Sequence, residues 1–477
     1  VTEAAAPVAA TVAGHVDDVW DAEILPALER YIAIPCVSVH FDPAWEEHGH
    51  LERAIDLVVE WARARDVAGM TVEVARLPGR TPMIVIDVPA FGGGPVDDTV
   101  LLYGHVDKQP EMVGWRDGLG PWTPVREGDR LYGRGGADDG YAAFASLLAI
   151  EAAQRAGLPH ARCVVLVEAS EESGSIDLPA HLRALGERIG SPSLVLCLDS
   201  GCLDDRRLWA TTSLRGLAGG VLRVDVLTEG VHSGEASGVV PSSFRILRQL
   251  LDRIEDSATG EVLVPELVVD VPADRVQQAR ATAEAFTIAE HFPFVEGARP
   301  STDDPAEQLL RRTWRPTVSV TGVDGIPPLD RAGNVLRPTT AVRLSVRLPP
   351  TVDADAAVAA LTRVLTADPP SGARVTFADA HGASGWNAPS FAPWLERALD
   401  EASSASFGEP ARTFGEGGSI PFMGMLAEMF PDAQFVVTGV LGPGSNAHGP
   451  NEFLDLPTAR RLTACLTHVL HAHAIRG

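Results

Sequence analysis

A histidine and an aspartate two residues apart, His105 and Asp107, follow the apolar run Val100–Tyr103 and Gly104. In an extended backbone both side chains point to the same side. A neutral imidazole can bind a metal ion, and a carboxylate beside it can hold the other ring nitrogen and raise its basicity. Four further acid or histidine clusters stand just after an apolar run or inside a glycine-rich loop: Asp138 with Asp139, Glu168 with Glu171 and Glu172, Asp199, and His448. Singly, each has an ordinary explanation: an Asp after a strand is often a helix cap, a Glu pair a solvated face, a loop histidine a surface residue. In combination they ask for more. At the carboxyl ends of the strands of one α/β sheet they would converge on one edge, where like charges repel unless cations neutralise them. Two histidines with three or four carboxylates form a ligand set for two divalent ions sharing a bridging carboxylate. Imidazole and carboxylate without thiolate suit Zn²⁺, with Mn²⁺ and Co²⁺ as alternatives. A Glu left free beside such a pair suits hydrolysis, because the metals lower the pKa of a bound water and the Glu accepts its proton.

The periodicity predicts what holds these residues. Val16, Val19, Trp20, Ile24, Leu28 and Ile32 at helical spacing predict a helix over 15–34, ended by Pro35. A second helix is predicted over about 50–65, and Tyr141 to Ala156 is a third, rich in Ala and Leu. Short apolar runs at Met83–Val88, Val100–Tyr103, Val164–Glu168 and Leu194–Leu198 read as buried strands, with Thr71–Arg76 beside them. Strand and helix alternate to about residue 210, as in an α/β domain. After Ser213, Leu217–Leu227, Val318–Thr321 and Ala341–Leu348 read as strands, the last alternating apolar with polar as in a half-exposed antiparallel sheet. Residues 265–316 are polar and poorly periodic and yield no reading. From Pro393 a helix returns, followed by the strand Gln434–Thr438, a Gly/Pro loop and a closing helix from about 457. The expected organisation is a catalytic α/β domain in two parts, 1–212 and 383–477, with an α+β domain inserted at 213–382.

At 477 residues the chain is long enough for two domains. It is 45% apolar and 22% charged, hence globular. A formal charge of −25 disfavours nucleic acid and anionic membranes as partners. The five cysteines are scattered without a CxxC pair, so neither a disulfide framework nor a thiolate zinc site is indicated. The Ala-rich first residues include Glu3 and no basic run, so no signal peptide is expected, and no apolar run is long enough for a membrane span. A cytoplasmic location is the expectation. Lys108 is the single lysine of the chain.

With these residues assembled, the chain resembles the M20 metallopeptidases, in particular their carnosinase-like dipeptidase branch. The resemblance is carried, in order, by Tyr103-Gly-His-Val-Asp-Lys-Gln-Pro110, Gly133-Arg-Gly-Gly-Ala-Asp-Asp-Gly140, Glu168-Ala-Ser-Glu-Glu-Ser-Gly-Ser175 and Leu196-Cys-Leu-Asp199. It continues through Gly230-Val-His-Ser-Gly234, Val346-Arg-Leu-Pro349, Gly415-Glu-Gly-Gly-Ser-Ile-Pro421 and Ala447-His-Gly-Pro-Asn-Glu452. The fold it implies is a mixed central sheet of zinc-exopeptidase type plus an inserted lid or dimerisation domain. It implies that His105 and Asp199 bind one ion, Glu172 and His448 the other, and that Asp138 bridges them. Glu171 is then the general base for a water between the metals, Asp107 the orienting partner of His105, and the peptide after Asp138 is cis. His232 would stabilise the oxyanion from the other subunit of a homodimer. Arg347 would pair with the substrate carboxylate, the loop Gly417, Gly418 and Ser419 would bind substrate backbone, and Asn334 would line the pocket.

Two departures touch specificity rather than metal binding. Asp138-Asp139 is followed by Gly140-Tyr141 where the dipeptidase branch commonly has Lys-Gly, and Gly449-Pro450 follows His448 in place of a serine-containing version. The implied activity is hydrolysis of dipeptides or similar small peptides with a free carboxylate. The same ligand set also serves N-acyl amino acid deacylases, and a non-catalytic metal- or peptide-binding scaffold is a third reading, disfavoured because Glu171 is retained. Neither the incomplete glycine fingerprint Gly415-Glu-Gly-Gly-Ser-Ile420 nor Ser233 beside His232 supports a competing chemistry: the third glycine is missing from the first and a Gly-x-Ser-x-Gly turn from the second.

Overall fold

A computed structural model of the chain describes residues 5–418 and 420–476. They form two compact units. The first runs to Thr212 and resumes over Ala388–Phe414 and from Met425; the second comprises Ser213–Asn387 and Gly415–Gly424. The glycine-rich segment after Phe414, expected with the first part, belongs to the second because Arg215 takes both the Gly418 carbonyl on its backbone N–H and the Gly417 carbonyl on its Nε. Ser419 lies outside the described residues.

In the first unit the sheet is mixed. Four strands, Arg162–Glu168, Thr99–His105, Leu194–Cys197 and Gln434–Val437, run parallel side by side. Met83–Val88 and Thr71–Ala75 extend it antiparallel on one side, and Trp209–Leu214 on the other. Parallel strands are covered on both faces, which is why Thr99–His105 is buried along its whole length. The helix Tyr141–Arg155 is buried from Tyr141 to Ala153, as its all-round Ala, Leu and Phe surface requires. It packs between the strand Thr99–His105 and the closing helix Leu456–Ala474. From Thr99–His105 the chain crosses to the neighbour on one side, Arg162–Glu168, then back to the neighbour on the other, Leu194–Cys197. Consecutive connections therefore run in opposite directions along the sheet, on either side of Thr99–His105. Such a switch point opens a crevice at the carboxyl ends of the strands.

One predicted helix is divided. Over 15–34 the structure has the helices Ala5–Val19 and Leu25–Ile32, joined by the π-helical turn Trp20–Ile24. Pro26, in the first turn of the second helix, has no N–H to give to the preceding turn, and its ring needs room there.

The second unit is built on an antiparallel sheet in the order Thr317–Asp324, Thr339–Leu348, Gly216–Asp225, Arg374–Ala383. Val342, Leu344, Val346 and Leu348, alternate residues of one strand, enter its core with Ile246, Leu247 and Leu250 of the helix Ser243–Leu251 and Ala357 and Leu361 of Ala354–Thr366. The stretch 265–316 contains the helices Ala273–Ala285 and Pro305–Thr313, which close a small separate core of Ala279, Ile288, Leu309, Leu310 and Trp314. No helix among the described residues is long and apolar enough to cross a membrane.

Candidate metal centre

His105 is the last residue of its strand, paired in register with Glu168. Its Nδ1 lies 3.0 Å from the Asp107 carbonyl oxygen, which can only accept, so Nδ1 carries the proton and Nε2 presents a lone pair. That Nε2 is buried and makes no hydrogen bond, although Asp138 Oδ1 lies 3.3 Å away, Asp199 Oδ1 3.8 Å and Glu171 Oε2 4.0 Å. A buried lone pair aimed at carboxylates is where a cation belongs.

The other donors come from the neighbouring strand ends. Asp138, in the turn Gly136–Gly140, sets Oδ2 3.0 Å from Nε2 of His448, and Glu172 Oε2 is 3.3 Å from the same nitrogen. One donor atom each from His105, Asp138 and Asp199 lie within 4.8 Å of one another, and so do donor atoms of Asp138, Glu172 and His448. Asp138 belongs to both groups, and the Asp138–Asp139 peptide is cis. This nitrogen and oxygen donor set without thiolate fits divalent ions of the Zn²⁺ and Mn²⁺ kind. The two groups differ in access: the His105 side chain is 0% exposed, the His448 side chain 54%. Glu171 falls in neither group. Burial raises its carboxyl well above the usual range, and the charge of Asp199 adds to that.

Asp107 does more than the sequence implies. Its backbone carbonyl, not its carboxylate, holds the His105 ring; Oδ1 stands 3.5 Å from Nδ1. The carboxylate instead accepts the N–H groups of Glu171 at 3.1 Å and Glu172 at 3.0 Å, capping the 3₁₀ turn Glu171–Ser173. One residue thus orients the first histidine and both glutamates. Glu168, grouped with those glutamates in the sequence, is buried elsewhere: it accepts the Tyr103 hydroxyl at 2.6 Å and the Ser170 hydroxyl at 3.0 Å, and burial pushes its carboxyl up to about 7.

Several supporting residues have no sequence signal beyond lying inside the motifs. Gln109 donates to Glu172 Oε2 at 2.7 Å. The buried pair Arg134–Glu452 links the loop before Asp138 to the loop after His448: Glu452 also accepts the Gly135 N–H at 2.8 Å, and Arg134 donates to the Gly449 carbonyl at 2.9 Å. Lys108, wholly buried, gives its ammonium to the carbonyls of Tyr31 and Ile34, each at 2.8 Å, where the helix Leu25–Ile32 ends. Gly135, at φ +80°, has no room for a side chain, because a Cβ would fall 2.6 Å from Lys108 Cε.

The remaining candidates belong to the second unit. His232 is exposed, and its Nδ1 accepts the Gly234 N–H at 3.1 Å. Asn334 is adjacent, its carbonyl accepting the Ser233 N–H at 2.9 Å. Arg347 is half-buried on the strand Thr339–Leu348, and Gly417 and Gly418 lie beside Arg215.

The histidines also make ion binding sensitive to pH. Burial works against protonation of His448, but Asp138 and Glu172 outweigh it and push it up to about 11; His105 is likewise raised, against its burial, by Asp107, Asp138 and Asp199. At neutral pH the His448 ring therefore holds a proton that an incoming cation must displace. The expected result is proton release on metal binding, with affinity falling about tenfold per pH unit for each proton displaced. Calorimetric titrations in buffers of different ionisation enthalpy measure this directly, and a heat independent of the buffer would contradict it.

Such a donor set, at the switch point of a mixed α/β sheet, suits a metal-dependent hydrolase. The chain belongs to peptidase family M20/M25/M40, whose profile matches residues 101–472, and is accordingly a hydrolase of the metallopeptidase type. It is similar to a cysteinylglycine-S-conjugate dipeptidase of Corynebacterium striatum, 28% identical over 374 residues that cover 76% of this chain and 78% of the relative. A Cys-Gly metallodipeptidase of Schizosaccharomyces pombe is 26% identical over 457 residues, covering 91% and 92%. The structure of human carnosine dipeptidase 1 shares the fold with a TM-score of 0.74 at 21% identity, over 98% of this chain and 99% of that one.

Proposed function

We propose that this chain is a cytoplasmic, zinc-dependent dipeptidase that hydrolyses small peptides with a free C-terminal carboxylate, with Mn²⁺ or Co²⁺ as alternative metals. The observation that carries this is the position of Glu171, 4.0 Å from His105 Nε2 yet outside both donor groups. His105, Asp138 and Asp199 would hold one ion, and Asp138, Glu172 and His448 the other. Bound there, the ions would polarise the scissile carbonyl and acidify water. Glu171 takes the proton of the attacking water on its carboxylate and returns it to the leaving amine, a task suited to a carboxyl that burial makes more basic. Asp107 and Gln109 hold Glu171 and Glu172 in place.

In the second unit, which we infer acts as lid and dimerisation domain, His232 accepts the Gly234 N–H on Nδ1, so its neutral ring carries the proton on Nε2 and can donate it to an oxyanion. In a homodimer it would serve the partner's site. Arg347 pairs with the substrate carboxylate, Asn334 lines the pocket, and Gly417, Gly418 and Ser419 offer backbone hydrogen bonds. The dipeptidase names of the relatives support this substrate class.

The test is a panel of dipeptides and their N-acetylated counterparts, assayed before chelation, after chelation and after restoring Zn²⁺ or Mn²⁺. Free dipeptides should be cleaved only with metal present. Full activity in the chelated protein would sink the reading, and a preference for N-acyl substrates would move it to a deacylase.

A further inference from the structure

Within the second unit, three guanidinium groups gather at the Gly417–Gly418 turn. Arg215 holds the turn by donating to the Gly418 carbonyl at 3.0 Å and to the Gly417 carbonyl at 3.1 Å. Arg312, in the last turn of the helix Pro305–Thr313, packs against it so closely that a Cβ at position 417 would fall 3.0 Å from its Cγ and 3.1 Å from its Nε. Arg347 comes from the sheet, paired in register with Thr317, and the Arg215 guanidinium reaches the Thr317 hydroxyl at 3.3 Å. Strand alternation puts Arg347 on the face opposite Val346 and Leu348, which fill the core.

Three cations so placed repel one another. Burial and the charges of Arg347 and Arg312 together bring Arg215 down to about 10. Arg312 is lowered by burial, and Glu416 is the carboxylate that counters it. The acid on the helix of Arg312, Glu307, is committed to Arg311 and Arg315. Among the described residues no carboxylate stands within the 4.0 Å of an ion pair from the Arg312 guanidinium. A single substrate carboxylate on Arg347 would leave that guanidinium unmatched, and desolvated cations gain most from an anion that reaches them bidentately.

We propose that Arg312 and Arg347, set around the Gly417–Gly418 turn that Arg215 holds, form a pocket for a dicarboxylate, so that the preferred substrate ends in an acidic residue. Arg347 takes the main-chain carboxylate and Arg312 the side-chain carboxylate. This rests on the peptidase reading and on the role proposed for Arg347.

The test compares kcat/KM for glycyl-aspartate and its near-isostere glycyl-asparagine in the metal-loaded enzyme and in Arg312→Met and Arg312→Lys. The ratio within each protein is the readout, so a general loss of activity cancels. The parent should favour glycyl-aspartate by about tenfold or more, mostly through KM, Arg312→Met should bring the ratio near one, and Arg312→Lys should retain part of it. A parent ratio of one or below, or a ratio unchanged in Arg312→Met, overturns the proposal. If neither dipeptide is cleaved, the peptidase reading fails by itself, and calorimetric titration with succinate then decides on the pocket. Succinate should bind the parent and bind Arg312→Met at least about tenfold more weakly; no binding, or equal binding, overturns it.

Discussion

Glu171→Gln will bind its metal ions as the parent chain does and turn over dipeptides about 10³-fold more slowly, within the 10²–10⁴ range of a general base. The substitution keeps the shape of the side chain and removes only the basic oxygen. Because Glu171 stands outside both donor groups, neither ion loses a ligand. Its backbone N–H, which Asp107 holds at 3.1 Å, is untouched, so Glu172 keeps its place in the same turn. The loss should therefore fall on kcat with KM little changed. Metal analysis beside steady-state kinetics separates the outcomes: full metal with normal turnover would remove Glu171 from the chemistry, and lost metal would make it a ligand.

The strand ends were the most legible part of this chain. Val100–Tyr103 and Leu194–Leu198 are short apolar runs, and burial on both faces permits little else, so the observed Thr99–His105 and Leu194–Cys197 differ only at their ends. Residue types alone suggested a two-metal set, and the resemblance divided the five donors between the ions. The structure brings those donors together in two groups that share Asp138.

What stayed hidden depends on backbone atoms or on distant partners. A pattern of side chains cannot reveal that the main-chain carbonyl of Asp107 holds His105 while its carboxylate caps the glutamate turn. Arg134 and Glu452 are 318 residues apart, and nothing local marks either as half of a buried pair. The helix Ala273–Ala285 was unreadable because it buries only Arg275, Ala279 and Thr282, too narrow a stripe to show as an apolar period. The segment after Phe414 joins the second unit through carbonyl oxygens, which carry no sequence signature.

Asp138→Asn should be the most damaging change at the metal centre, because one carboxylate serves two positions. Oδ1 lies 3.3 Å from His105 Nε2 and Oδ2 3.0 Å from His448 Nε2. Burial alone would raise this carboxyl, yet the neighbouring His105 and His448 outweigh it and hold it below the usual carboxylate range, so the oxygens stay charged whenever the protein is folded at working pH. Asparagine keeps the volume but removes the charge and turns one oxygen into an N–H₂ aimed at a cation. Removing one partner from a buried charge cluster costs about 3–5 kcal/mol, which is about 10²–10⁴-fold in affinity, and here the penalty should fall on both ions. Asp199→Asn, by contrast, should weaken only the ion near His105, since Asp199 belongs to that group alone. Metal titration of the two variants against the parent tests the difference. Loss of both ions in Asp138→Asn with one retained in Asp199→Asn is the expected pattern, whereas two tightly held ions in Asp138→Asn would show that the carboxylate is not shared.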